Sequence, residues 1–108
     1  MAEVPKLLGA ILCDGTLQDI YTVPALKRAV VSVVTICNKA AASKAVKVKH
    51  APAGAVDAEV HNRYDADAPQ RDTLEVCKGL VLATTDVLRG LGADNNVTMA
   101  AYGSEEDV

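Results

Sequence analysis

A chain of 108 residues and 11.3 kDa has room for one domain, since domains usually run to about 100–150 residues. Half of it is hydrophobic and 23% is charged, which argues against intrinsic disorder. A net charge of −3 argues against a general nucleic-acid binder, which would carry a basic patch and a high pI.

The apolar residues are mostly Val, Ala and Leu, with three Tyr and neither Phe nor Trp. Such a core buries less area per side chain than an aromatic one, so the domain gains from being part of something larger. Uncharged stretches such as 29–38 fall far short of the roughly 20 apolar residues that span a bilayer. The opening Met-Ala-Glu-Val-Pro-Lys lacks the basic start and apolar run of a secretory signal. A chain made and assembled in a cytoplasm, with no membrane and no nucleic-acid partner, is expected.

In chain order, 7–14 and 17–23 read as strands flanking the tight-turn dipeptide Asp14-Gly15. Segment 29–36, Ala-Val-Val-Ser-Val-Val-Thr-Ile, has six β-branched residues out of eight, which suits a pleated sheet better than a helix. Its unbroken apolarity predicts a central strand covered on both faces, one of them by a partner subunit. Val30, Val31, Val33 and Val34 are therefore candidates for the core or a subunit interface. The alanine-rich 39–45 is too short for an independent helix and predicts a loop or a helical turn.

At 44–49, Val46 and Val48 alternate with Lys47 and Lys49, the period of a half-solvated strand. Further strands are expected at 55–62, 73–77, 86–91 and 96–102. Pro, Gly, Asp and Asn mark breaks at 52–54, 65–69, 90–92 and 94–96. Residues 1–5 read as a short flexible N-terminus and 103–108 as an acidic C-terminal tail. About seven or eight short strands at even spacing predict an all-β fold. It is either an antiparallel β-sandwich, jelly-roll or Ig-like, or a small barrel, in a single domain over 1–108.

Chemistry-bearing constellations are sparse. Cys13, Cys37 and Cys77 lack the close pairing of a zinc knuckle or a redox motif. They read as small buried hydrophobes, with a disulfide within the chain or between copies as the alternative. His50 and His61 have no neighbour at ligand spacing and read as surface histidines. Asp65 and Asp67, with Asp57, Glu59 and Asp72 close by, lack the Gly and Glu of a calcium loop and read as a solvated acidic loop.

No serine sits in a nucleophile elbow and no glycine-rich phosphate cradle follows a strand, so no enzyme activity, cofactor or metal is expected. Lys39, Lys44, Lys47 and Lys49 read either as a solvated face that blunts edge aggregation or as a patch that orients a neighbour. Tyr64 is the candidate contact should the chain bind a sugar.

Four stretches carry a resemblance: 17–24 (Leu-Gln-Asp-Ile-Tyr-Thr-Val-Pro), 33–38 (Val-Val-Thr-Ile-Cys-Asn), 79–89 (Gly-Leu-Val-Leu-Ala-Thr-Thr-Asp-Val-Leu-Arg) and 97–106 (Val-Thr-Met-Ala-Ala-Tyr-Gly-Ser-Glu-Glu). In this order and spacing the chain resembles small β-rich accessory proteins of tailed-bacteriophage virions, from about Leu7 to its end. The middle, 44–71, departs from that pattern by being more charged and leaves the attachment site open.

The resemblance implies a non-catalytic building block, present in many copies on a phage virion. Decoration or cementing of the capsid is the first expectation and attachment to the neck or tail the second. A small host-receptor or carbohydrate-binding module is the rival class. Implied partners are the chain's own copies, in a closed homo-oligomer such as a trimer, and the major capsid or neck and tail proteins. The implied location is a virion assembled in the host bacterial cytoplasm.

Overall fold

A computed structural model describes residues 6–107. The flexible start expected for 1–5 lies outside the described residues. Nine strands form: β1 (Lys6–Leu12), β2 (Gln18–Thr22), β3 (Lys27–Asn38), β4 (Lys44–Ala51), β5 (Asn62–Ala68), β6 (Asp72–Val76), β7 (Leu80–Leu82), β8 (Val87–Gly92) and β9 (Val97–Asp107). Every pairing is antiparallel. The larger sheet has the order β1-β9-β3-β6, with β7 also on β3, and the smaller has the order β2-β8-β4-β5.

Topologically the chain is one long hairpin, rolled up. β1 pairs with β9, β2 with β8, β3 with β6 and β7, and β4 with β5, so that partners converge on a tip at 52–61. Rolling places alternate rungs in opposite sheets, joined by β3–β9 in one and β4–β8 in the other. Counting β6 and β7 as one interrupted strand gives the eight-stranded jelly-roll, one of the sandwich forms the strand spacing allows. The interruption lies at 77–79, where Cys77 and Gly79 take left-handed conformations with φ of 56° and 77°.

The core is aliphatic, as the composition requires. Val31, Val34 and Ile36 of β3 face Val46 and Val48 of β4 and Leu88 of β8, with Met99 and Ala101 beside them on β9, all essentially without solvent contact. On β3 the inward residues are Ala29, Val31, Val34, Ile36 and Asn38. The period of two slips once because Ser32 is an extra residue between the pairs Val31↔Gly103 and Val33↔Tyr102, a β-bulge. Gly103 is glycine because a Cβ there would collide with the carbonyl oxygen of Val30. The run 29–36 is thus covered within the chain on one face only: Val31 and Val34 belong to the core, while Val30 and Val33 point to the other side.

Several expectations are corrected. Segment 55–62 is not a strand: Pro52 and the left-handed Ala53 and Gly54 turn the backbone out, and a 3-10 turn at Glu59–His61 follows. The strand begins at Asn62 and runs through the supposed acidic loop, with Asp65 opposite Lys47 and Asp67 opposite Ala45. Gly90 and Gly92 do not break the chain but lie inside β8, where a Cβ would strike Met99 and Cys13 respectively. The acidic 103–107 is no loose tail; it is the end of β9, paired with β3 as far as Lys27↔Asp107. β7 has no counterpart among the expected strands.

One buried polar side chain ties the loops to this frame. Asn38 Nδ2 donates to the carbonyls of Ala42, Ala68 and Pro69 at 3.0–3.2 Å, and its Oδ1 accepts from the Ala40 N–H at 2.9 Å. Replacing it leaves those buried groups short of partners. Asn38→Ala should lower the unfolding free energy by about 1–3 kcal/mol, read as a lower urea midpoint at unchanged m-value.

Candidate functional site

The two outer faces of the sandwich settle their side chains in opposite ways. On the smaller sheet, Arg89 pairs with Asp19 at 3.1 Å, Lys49 with Asp57 at 2.5 Å and Lys47 with Asp65 at 3.9 Å. The excursion 52–61 is tied down on it, since Arg89 Nη1 also donates to the Ala55 carbonyl at 2.7 Å. Lys49 is only 4% exposed, which corrects the expectation of a solvated lysine face. Its (CH2)4 stem is covered while its ammonium meets a carboxylate, the ordinary solution for a buried lysine. Lys44 is likewise engaged, with Asp94 at 2.8 Å. Lys44, Lys47 and Lys49 thus each have a partner within the chain.

The larger sheet is different. Its outward residues fall into rows across the strands, set by register. The first row is Leu12, Thr98, Cys37 and Thr73, and the second Ala10, Ala100, Thr35 and Glu75. The third is Leu7, Tyr102 and Val33, and the fourth Ser104, Val30 and Val81. Glu75, on the edge strand, is the only charged residue among them. Leu7, Leu12, Val81 and Tyr102 are 42–62% exposed. The molecule is only 18 Å along its shortest axis, enough for two sheets about 10 Å apart and no third layer, so nothing in the described chain covers this face. Ion pairs fence one end of it: Arg28 with Glu106, Lys27 with Asp107 at 2.6 Å, and Lys6 with Glu105 at 2.7 Å.

The other sequence candidates separate accordingly. Val30 and Val33 lie on the open face, and Tyr64 is half-buried against the core. The three cysteines are free: Cys13 is buried, Cys77 half-buried and Cys37 exposed on the open face. Burial, with the Asp14 carboxylate second, pushes the Cys13 thiol up to about 11, which makes it unreactive near neutrality. The buried-hydrophobe reading therefore fits Cys13 and not Cys37.

His50 is not a surface histidine. Its Nε2 lies 2.7 Å from Asp86 Oδ2 in a part-buried pair. Asp86 also accepts the N–H of Ala53 and of Ala83, both at 2.9 Å. The cluster fastens two loops to the end of β4. Sequence reasoning missed it because the partners stand 36 residues apart. It pointed to an outer face on β3, but which valines lie on it needs the bulge at Ser32 to be known.

No family model, no curated protein and no solved structure matches the chain.

Burial pushes the Asp86 pKa up, but the hydrogen bonds from His50, Ala53 and Ala83 and the charge of His50 outweigh it and hold the carboxyl below the usual aspartate value. A carboxyl so depressed adds stability that is complete above its unfolded pKa and is lost as pH falls through the folded one. The stability difference between wild type and Asp86→Asn should therefore be largest above about pH 5 and shrink towards about pH 3. Urea melts across that range check it, and a difference independent of pH refutes the role.

Proposed function

We propose that the chain is a non-enzymatic structural protein of a tailed-phage virion. It is fixed in many copies on the head as a decoration or cement, and the outer face of the larger sheet is its assembly surface. The observation that carries the assembly reading is that face itself: four strands wide, with one charged residue in its four rows, and uncovered by the described chain. A protein with enough charge to lay ion pairs across one sheet has left the other nearly without charge, and such a sheet face marks a contact surface.

The phage context is supported by the resemblance. Its four stretches supply β2, the second half of β3, β7 to the start of β8, and most of β9, which include the central pair of the larger sheet. The departing middle, 44–71, supplies β4, the excursion and β5. The family-like stretches therefore supply the central pair of the larger sheet and, through β2 and the start of β8, part of the smaller one, while the divergent middle supplies the rest of the smaller sheet. A jelly-roll by itself supports no function, since the fold serves many. The sugar-binding alternative gains nothing from Tyr64, which packs against the core.

Wild-type chain should remain with particles through a density gradient. Tyr102→Lys should be retained at least about tenfold less, the loss expected of a central aromatic anchor. Because Tyr102 makes its surface contribution outside the core, the variant's unfolding free energy should stay within about 0.5 kcal/mol of wild type. A wild-type chain that never sediments with particles overturns the reading.

A further inference from the structure

The open face has relief as well as polarity. Its third row (Leu7, Tyr102, Val33) is a ridge of large side chains. Its second row is a trough at Ala10 and Ala100, directly alongside, which closes at Thr35, the size of Val33, and ends on Glu75 at the edge strand. Along β9 ridge and trough are two residues apart, about 6–7 Å at the rise of a strand. A ridge beside an equal trough is self-complementary under one two-fold axis only, the axis that runs across the strands between the two rows. Rotation about it seats each copy's ridge in the other's trough. A two-fold axis along the strands sets ridge on ridge instead and leaves the troughs empty.

We infer that the bare face is a two-fold, isologous docking surface for a second copy of this chain, with Tyr102 of each copy seated over Ala100 of the other. The inference rests on the reading of this face as an assembly surface and specifies what covers it. The same axis brings the first row onto the fourth, so Cys37 of one copy faces Val30 of the other, and Thr73 faces Val81. The one charge in these two rows, Glu75, ends the second row on the edge strand, at the rim.

The area sets the strength. Four strands about 4.8 Å apart and about 23 Å long give a footprint of roughly 450 Å2 per copy. The total of about 900 Å2 is below the 1,200–2,000 Å2 of a stable complex. Pairing is therefore reversible in solution and is completed where copies are concentrated.

Site-specific cross-linking tests the geometry. Val30 and Cys37 are seven residues apart on one strand, about 23 Å, so a short linker cannot join them within a chain. In a Cys77→Ser background, Val30→Cys treated with a bis-maleimide spanning the about 10 Å between stacked sheets should give a covalent dimer. Adding Cys37→Ser should abolish it, and adding Tyr102→Lys should reduce it at least about tenfold, with circular dichroism confirming that each variant is folded. Sedimentation equilibrium of wild type should show a monomer–dimer equilibrium in the same concentration range.

A dimer that survives Cys37→Ser overturns the axis. No cross-link and a monomer at every concentration up to about 1 mM, a Kd too weak to matter, overturns the pairing. Gradient retention of wild type on particles is scored separately. A chain that binds particles without cross-linking sinks this inference alone, and one that cross-links without binding particles sinks only the virion reading.

Discussion

The antiparallel ladder between β3 and β9 is the constraint on which everything else hangs. It runs through eleven paired positions and joins the two halves of the rolled hairpin within the larger sheet. Its single irregularity, the extra Ser32 beside the Val31↔Gly103 pair, decides which side chains face which way on both flanks. Without that one-residue slip, either Val31 or Val34 would turn out of the core and a polar neighbour would turn in. The aliphatic core and the apolar exterior are two faces of the same pair of strands. The slip is what lets one continuous valine run serve both.

The remaining chemistry sorts itself around that ladder. Paired charge is gathered on the smaller sheet and at one end of the larger. The one His–carboxylate pair, His50 with Asp86, is occupied by backbone N–H groups from two loops and works as a fastening. Buried Asn38 does the same at the opposite loops with four hydrogen bonds. Polar groups inside this molecule are spent on holding irregular backbone in place. What the outer face of the larger sheet is left to present is chiefly shape and uncharged surface.

Much of the architecture was legible in the sequence, for local reasons. β-Branched runs and turn dipeptides mark strands wherever the pattern is unbroken, as in β1, β2, β4, β6 and β9. Reading failed where a tertiary partner overrides a local cue. Gly90 and Gly92 look like a turn, yet they are required in a strand because Met99 and Cys13 press on them from the facing layer. Asp65 and Asp67 look like a loop, yet they are the solvent side of β5 opposite β4. Glu106 and Asp107 look like a tail until Arg28 and Lys27, nearly 80 residues away, are placed across from them. The bare face was half visible: doubly covered valines pointed to a subunit contact, but which valines depended on a bulge that no local pattern reveals.

The break between β6 and β7 bears on what the molecule can build. A long straight border strand invites another chain to continue the sheet, and repetition of that step makes fibres. Here the border is cut at 77–79 into a five-residue and a three-residue stub by two left-handed residues. Edge-to-edge growth is blocked in that direction, which leaves the broad face as the other way for copies to meet. A high local concentration of chains then does not extend the sheet past that edge.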